Sequence, residues 1–276
     1  MRSRAATTAM THGRLALLLL LASGCDGPAI PAGWHTLITS DWILDPGAEQ
    51  YPEQRFVAER DYTITAIRPI DPPGTHHVVL LREGAVHNVL FVAVLGTGAF
   101  TFPDGVGLRL RKGDALSLQL HLLNATAAPL ASASGLEVIE VDPGAEVVET
   151  NILDPSLITL DLPPGPSSVS GNCTLAADQT LFAIGPHMHA LGKHLRSTLR
   201  HGATTTVLLD QDFDWNAQVF RSLPSIAARA GDVITVECTY DNTTKETVHW
   251  GASASAEMCS AFVYRYPAGD SDFCIK

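Results

Sequence analysis

Two groups of side chains in this chain have the types and spacing of metal ligands. His76 and His77 stand together after Pro72-Pro73-Gly74, at the opening of an apolar run. His121 ends a second apolar run, Ala115-Leu116-Ser117-Leu118-Gln119-Leu120-His121-Leu122, where an imidazole without a partner is costly to bury and a metal would satisfy it. The second group is His187-Met188-His189. On an extended backbone, residues two apart share a face, so both imidazoles of this group can meet one ion. Adjacent residues such as His76 and His77 point to opposite faces. Both can meet one ion only if the backbone leaves regular pleating there, which a strand start after Pro-Gly permits.

The other histidines read differently. His12 falls in a leader, and His35, His87, His194 and His201 read as surface or structural. His249 precedes Met258 closely and could face the second group.

The elements that must position these residues are strands. Phe56-Val57-Ala58, Tyr62 to Ile67, Val78 to Leu81, Val89 to Val94, Ala115 to Leu122 and Leu136 to Val141 are short apolar or alternating runs separated by turn signals such as Pro103-Asp104-Gly105 and Lys112-Gly113-Asp114. The second half repeats the style at Ile158 to Leu162, Leu181 to Ile184, Thr204 to Leu209, Val233 to Tyr240 and Ser260 to Tyr266. Ala230-Gly231-Asp232 before a strand echoes Lys112-Gly113-Asp114 before a strand, which hints at two related domains. No stretch carries a long helical period. The expected fold is all-β: two tandem antiparallel β-sandwich, jelly-roll-like domains, 34–146 and 147–276, with a cleft between them.

Composition agrees. The chain has 276 residues, enough for two such domains, a low charged fraction of 17%, and many Gly and Pro. The net charge of −11 argues against nucleic acid or an anionic membrane surface as partners. Arg2, Arg4 and Arg14 with the short apolar stretch Leu15 to Ala22 read as an export signal over 1–25, followed by a linker at 26–33. Leu21-Ala22-Ser23-Gly24-Cys25 resembles a bacterial lipobox, so Cys25 is the expected lipidation site and the only expected membrane attachment. The expected location is the periplasm or cell surface, or otherwise the medium. Four more cysteines, Cys173, Cys238, Cys259 and Cys274, form an even set that implies two disulfides; the count alone leaves three pairings open.

The ending brings the groups together. Glu257-Met258-Cys259 resembles the Glu-Met-Cys segment of the copper type II, ascorbate-dependent monooxygenases, the family of peptidylglycine α-hydroxylating monooxygenase and dopamine β-monooxygenase. Gly74-Thr75-His76-His77-Val78-Val79-Leu80 is similar to the family's His-His segment. Pro103-Asp104-Gly105-Val106-Gly107, then Leu118-Gln119-Leu120-His121, is similar to its approach to a third histidine. His187-Met188-His189-Ala190-Leu191-Gly192-Lys193 is similar to its His-x-His segment. The motifs run in the family's order over most of the chain.

The resemblance implies two copper ions. His76, His77 and His121 would hold the electron-transfer copper. His187, His189 and Met258 would hold the copper that meets O2, with the soft thioether favouring Cu(I). It also implies ascorbate or another external one-electron reductant, and the pairings Cys173–Cys274 and Cys238–Cys259. The implied activity is hydroxylation of a C–H bond in a small or medium organic substrate.

The sequence departs from the peptide-hydroxylating members. Gly185 stands where they carry an Arg that grips a substrate carboxylate, and Ser260 and Phe262 stand where they carry Asn and Tyr. Peptide amidation is therefore not the expected specificity, and the substrate stays open. Two other readings fit the residues: an exported copper protein for storage, delivery or electron transfer without hydroxylase activity, and an adhesion or carbohydrate module with incidental histidines.

Overall fold

The computed structural model describes residues 32–84, 88–94, 96–269 and 274. The leader with His12, the Cys25 lipobox and His87 lie outside the described residues. Every regular element among the described residues is a strand, so the all-β expectation holds.

In the N-terminal half, one sheet runs in the order His35–Leu44, Leu130–Val141, Tyr62–Ile70, Val106–Leu110, Val148–Glu149, with Phe100–Thr101 also pairing on Tyr62–Ile70. A second sheet sets Glu49–Gln50 and Glu53–Val57 on Ala115–Leu123, which pairs with Thr75–Arg82, which pairs with Asn88–Val94. Trp42, Ile64, Leu108 and Val138 of the first sheet share one buried core with Leu80, Phe91, Leu118 and Leu122 of the second. In the C-terminal half, Cys259–Tyr266 pairs with Asn151–Leu153 and Ser156–Leu157 at one edge and with Gln179–His187 at the other, and Arg221–Ala228 follows. Opposite lies Gly165–Thr174, Val233–Asn242, Gly192–His201, Thr204–Asp212. Leu181, Ile184 and Val263 meet Leu195, Ile234 and Val236 in a second core. Val233–Asn242 alternates strictly, every second residue buried, as period-two patterning requires. Each fully buried Leu, Ile or Val contributes about 1.5–3 kcal/mol, and these two cores fix where the strand ends lie.

The Gly-Asp echo is a structural repeat. In each half the Gly has a positive φ, near 90°. The Asp closes its own turn by accepting a backbone N–H three residues back, from Arg111 to Asp114 and from Arg229 to Asp232. The strand that follows leads in both halves to a buried Asn, just past Leu123 in the first and at the strand's last residue in the second. Asn124 Nδ2 donates to the carbonyls of Leu44 and Ala128; Asn242 Nδ2 donates to those of Leu162 and Glu246.

Aromatic rings join the halves. Phe100 stacks on Tyr264 at 4.7 Å, and Phe102 and Phe182 pack edge-on within the same cluster. The disulfides are Cys173–Cys274 and Cys238–Cys259, as the resemblance implied.

Candidate metal centre

The backbone solves the problem posed by adjacent histidines with a bulge. Thr75 pairs with Leu122 and His77 with His121, so His76 is the extra residue on its strand. The pleat breaks there, and His76 and His77 turn toward the same place. His121 faces them from the neighbouring strand. The ligand atoms of the three lie within 4.8 Å of one another. Gly74 makes the approach possible: its φ is +105°, and a Cβ there would press on the Trp42 ring at 2.9 Å.

His187 ends its strand opposite Ser260, two residues beyond Met258. Met188 points the other way, fully buried in the second core. The His187 and His189 rings are 5.3 Å apart. The two groups meet: His76 lies 6.2 Å from His189 and His77 lies 6.1 Å from His187, ring centre to ring centre.

Hydrogen bonds set which nitrogen of each ring is bare. His121 Nε2 is 2.6 Å from Glu49 Oε1, an acceptor, so that nitrogen carries the proton and Nδ1 is left as a lone pair. His189 Nδ1 donates to the carbonyl of Ala256 at 2.9 Å, leaving Nε2 bare. His187 Nδ1 donates to Gln218 Oε1 at 2.8 Å, and Gln218 Nε2 donates in turn to the Trp215 carbonyl, which fixes the amide's orientation. His76 Nε2, His121 Nδ1 and His189 Nε2 are buried without a hydrogen-bond partner among the described residues. An unpaired buried polar atom costs about 1–3 kcal/mol; one cation would satisfy His76 Nε2 and His121 Nδ1 together, and a second would satisfy His189 Nε2. The donor set therefore fits copper: imidazoles that hold either oxidation state, with a thioether nearby.

Burial keeps these imidazoles neutral, the form that binds metal. Desolvation, then the charges of His121 and His189, push His76 down to about 3. Desolvation, then His189, pushes His187 down to about 3. His77, His121 and His189 shift the same way, with burial the largest cause in each.

Surrounding residues hold the rings in place. Trp215 stacks on His76 at 4.4 Å, Tyr51 on His121 at 4.6 Å, and Phe262 on His187 at 5.8 Å. Glu257, fully buried, accepts backbone N–H groups from His189 at 2.8 Å, Leu191 at 2.7 Å and Met258 at 3.2 Å. One carboxylate thus ties the His-x-His turn to the methionine. Desolvation raises the Glu257 pKa against these bonds. Tyr240 donates its hydroxyl to the Met258 carbonyl at 2.7 Å.

His77, His187 and Met258 line a cavity of about 310 Å³. One wall is aliphatic: Val79 and Leu81, on the face of His77, with Val92 and Val94 beside them. Ser260 and Phe262 continue the face of Met258, and Ile158 and Trp250 close the side. Gln119 and the pair Asp154 and Ser156 are the polar patches, and Ser156 Oγ is hydrogen-bonded to both Asp154 and Ser260. Gly185 is not in the lining. A Cβ there would strike the Phe220 ring at 2.9 Å, so an aromatic side chain fills the space into which the peptide enzymes' Arg would have to grow.

The remaining histidines stand apart. His35 bonds buried Glu140, His194 lies between Asp210 and Asp212, and His201 bonds Asp232. His249 bonds Asp161 at the surface and does not join the second group. Sequence reasoning missed Glu49, Tyr51, Trp215, Gln218, Glu257 and Asp154. Glu257 alone carried a signal, its place beside Met258.

Residues 160–276 match the family profile described as "Copper type II ascorbate-dependent monooxygenase, C-terminal domain". The chain is 25% identical to a tyramine beta-hydroxylase of Caenorhabditis briggsae over 259 residues, covering 92% of this chain and 38% of that protein. Among solved structures, PNGase F, a glycosylasparaginase from Flavobacterium meningosepticum, aligns over 85% of this chain and 98% of its own at 8% identity and a TM-score of 0.38. The major capsid protein P2 of bacteriophage PM2 aligns over 83% of this chain and 97% of its own at 11% identity and a TM-score of 0.33.

Proposed function

Since the chain belongs to the copper type II, ascorbate-dependent monooxygenase family, we propose that it is an exported enzyme that hydroxylates a C–H bond of a small organic molecule. His76, His77 and His121 hold one copper; His187, His189 and Met258 hold the other. Bound copper supplies the one-electron chemistry with O2, with ascorbate or a similar external donor as reductant. The observation that carries this reading is the set of buried, bare imidazole nitrogens of His76, His121 and His189, packed against His77 and His187, which line a largely apolar cavity.

The protein's own residues do the rest. Glu49, Gln218 and the Ala256 carbonyl hold the outer N–H of three imidazoles, which fixes each ring's orientation and raises its basicity as a ligand. The valine and leucine wall excludes water and takes the apolar body of the substrate against the His187 side. Asp154 with Ser156 gives the far side an acceptor suited to a cationic or hydroxyl end. A small amine with an aromatic or aliphatic body fits this lining, in keeping with the name of the tyramine beta-hydroxylase relative. Two sandwich domains, 34–146 and 147–276, are the architecture we favour; the repeated Gly-Asp turn supports a duplication, and the first core reaches across the boundary to Ile152, Phe182 and Tyr264. The disulfides fit an oxidising, extracytoplasmic location.

Copper titration followed by oxygen uptake tests the reading. We expect two coppers per chain, and ascorbate-dependent O2 consumption that rises with a fitting amine and not with a carboxylate-terminated peptide. Replacing Met258→Ile weakens Cu(I) at the second site and spares the three-His site. Copper uptake with no turnover across a broad panel of substrates would leave a binding protein and sink the enzyme reading.

A further inference from the structure

We propose that Glu49 is a positioning residue for both groups of ligands: one of its carboxylate oxygens orients the His121 ring and tethers the loop that carries Met258. The proposal deepens, and rests on, the copper reading of the cluster. Glu49 opens the short strand Glu49–Gln50, pairing with Leu123 two residues past His121. Its Oε1 accepts from His121 Nε2 at 2.6 Å, from the Tyr51 hydroxyl at 2.6 Å and from the backbone N–H of Ala254 at 2.8 Å. The first two contacts belong to the N-terminal half and the third to the loop just before Met258.

Ala254 sits second in the turn closed by Ala256 N–H donating to the Ser253 carbonyl at 2.9 Å. The Ala256 carbonyl of the same turn accepts from His189 Nδ1. The outer N–H of one imidazole from each group therefore ends on a single four-residue turn, through Glu49 on one side and directly on the other. Glu257 follows that turn at once and gathers the N–H groups of His189 and Met258. The path from His121 to Met258 is thus a run of short, charge-assisted or backbone hydrogen bonds with no solvent step. A carboxylate behind a ligating imidazole tunes that ligand, and its loss typically weakens metal affinity about 10–100-fold. Here the same carboxylate also reaches the other site's loop, so its loss should register at both.

Three variants separate the two contacts. Glu49→Ala removes both, and Glu49→Gln keeps an amide oxygen that can accept from His121 and Ala254. Ala254→Pro deletes the loop's N–H and leaves Glu49 and His121 untouched, at the second position of the turn, where proline is favoured. Cu(I) affinity by chelator competition, measured in a Met258→Ile background that weakens the other site, reads the three-His site. Copper X-ray absorption reads the sulfur contribution of Met258.

In folded Glu49→Ala we expect the three-His affinity to fall about 10–100-fold. The copper–sulfur signal also drops, although Glu49 touches neither His187 nor Met258. Glu49→Gln restores most of both. Ala254→Pro keeps the three-His affinity and loses the sulfur signal. An unchanged sulfur signal in both Glu49→Ala and Ala254→Pro, or an unchanged three-His affinity in Glu49→Ala, overturns the proposal. Wild-type protein that takes up no copper at all overturns the copper reading beneath it, a result distinct from either.

Discussion

Glu257 gathers three backbone N–H groups that have no other partner in the hydrogen bonds described, and its burial makes their loss expensive. Replacing Glu257→Ala leaves those donors unpaired at about 1–3 kcal/mol each, so we expect a fall of several kcal/mol in unfolding free energy by chemical denaturation. Loss of the second copper should accompany it, because His189 and Met258 lose their common anchor. Glu257→Gln keeps the oxygen and most of the bonds, and should fall between wild type and Glu257→Ala. Gly185 gives the opposite test. Gly185→Arg, which would restore the peptide enzymes' residue type, should create no carboxylate grip. Its Cβ meets the Phe220 ring, and overpacking of this kind costs about 1–3 kcal/mol. A gain of affinity for peptide carboxylates in Gly185→Arg would show that the cavity reaches Gly185 after all. The ligand types were legible in the sequence because histidine and methionine announce their chemistry. Glu49, Gln218 and Trp215 were not, because their meaning lies in what folding sets beside them, far away in the chain.

Strands carry the ligands, and strand irregularities aim them. The His76 bulge turns an awkward neighbour pair into a convergent one, a displacement that residue spacing permits but cannot reveal. Interior strands such as Val233–Asn242 were legible from their alternation. Gly165–Thr174 and Arg221–Ala228 were not, for a shared reason: each is an edge strand with polar or proline residues on an open side, so hydrophobic patterning hardly marks it. The disulfides act on elements too, and differently. Cys173–Cys274 closes a separation of 101 residues and Cys238–Cys259 one of 21. Chain entropy gives the longer loop the larger stabilisation, about 4–5 kcal/mol against about 3. Removing Cys173–Cys274 by double Ser substitution should therefore lower the denaturation midpoint more and spare the copper stoichiometry. Removing Cys238–Cys259 should lower it less and cost the Met258 site, since Cys259 is the next residue. Measured midpoints and copper counts in the reverse order would refute this division of roles.

Across the whole molecule, folding draws five imidazoles, from His76, His77, His121, His187 and His189, into one buried cluster where none can hold a proton easily. All five sit below the ordinary 6.5, and His76 and His187 fall to about 3. The unfolded chain thus takes up protons below pH 6.5 that the folded chain refuses. By linkage, the copper-free protein is most stable above pH 6.5 and loses stability as pH falls from there toward 3. The limit is about 1.4 kcal/mol per histidine per pH unit. His194 works in the other direction. Its bonds to Asp212 and Asp210 raise its pKa, so its contribution is present below 6.5 and fades as pH rises through the raised value. It lies at the surface, where an ion pair is worth little, and cannot offset the cluster. Urea midpoints of copper-free protein should therefore drop clearly between pH 7 and pH 5, and His76→Ala should shallow the slope. Copper-loaded protein should hold its midpoint further into acid, because a metal on the bare nitrogens must leave before a proton can enter. Equal midpoints at pH 7 and pH 5 in the copper-free protein would mean that the cluster opens to water in solution and that its imidazoles titrate as free histidines do.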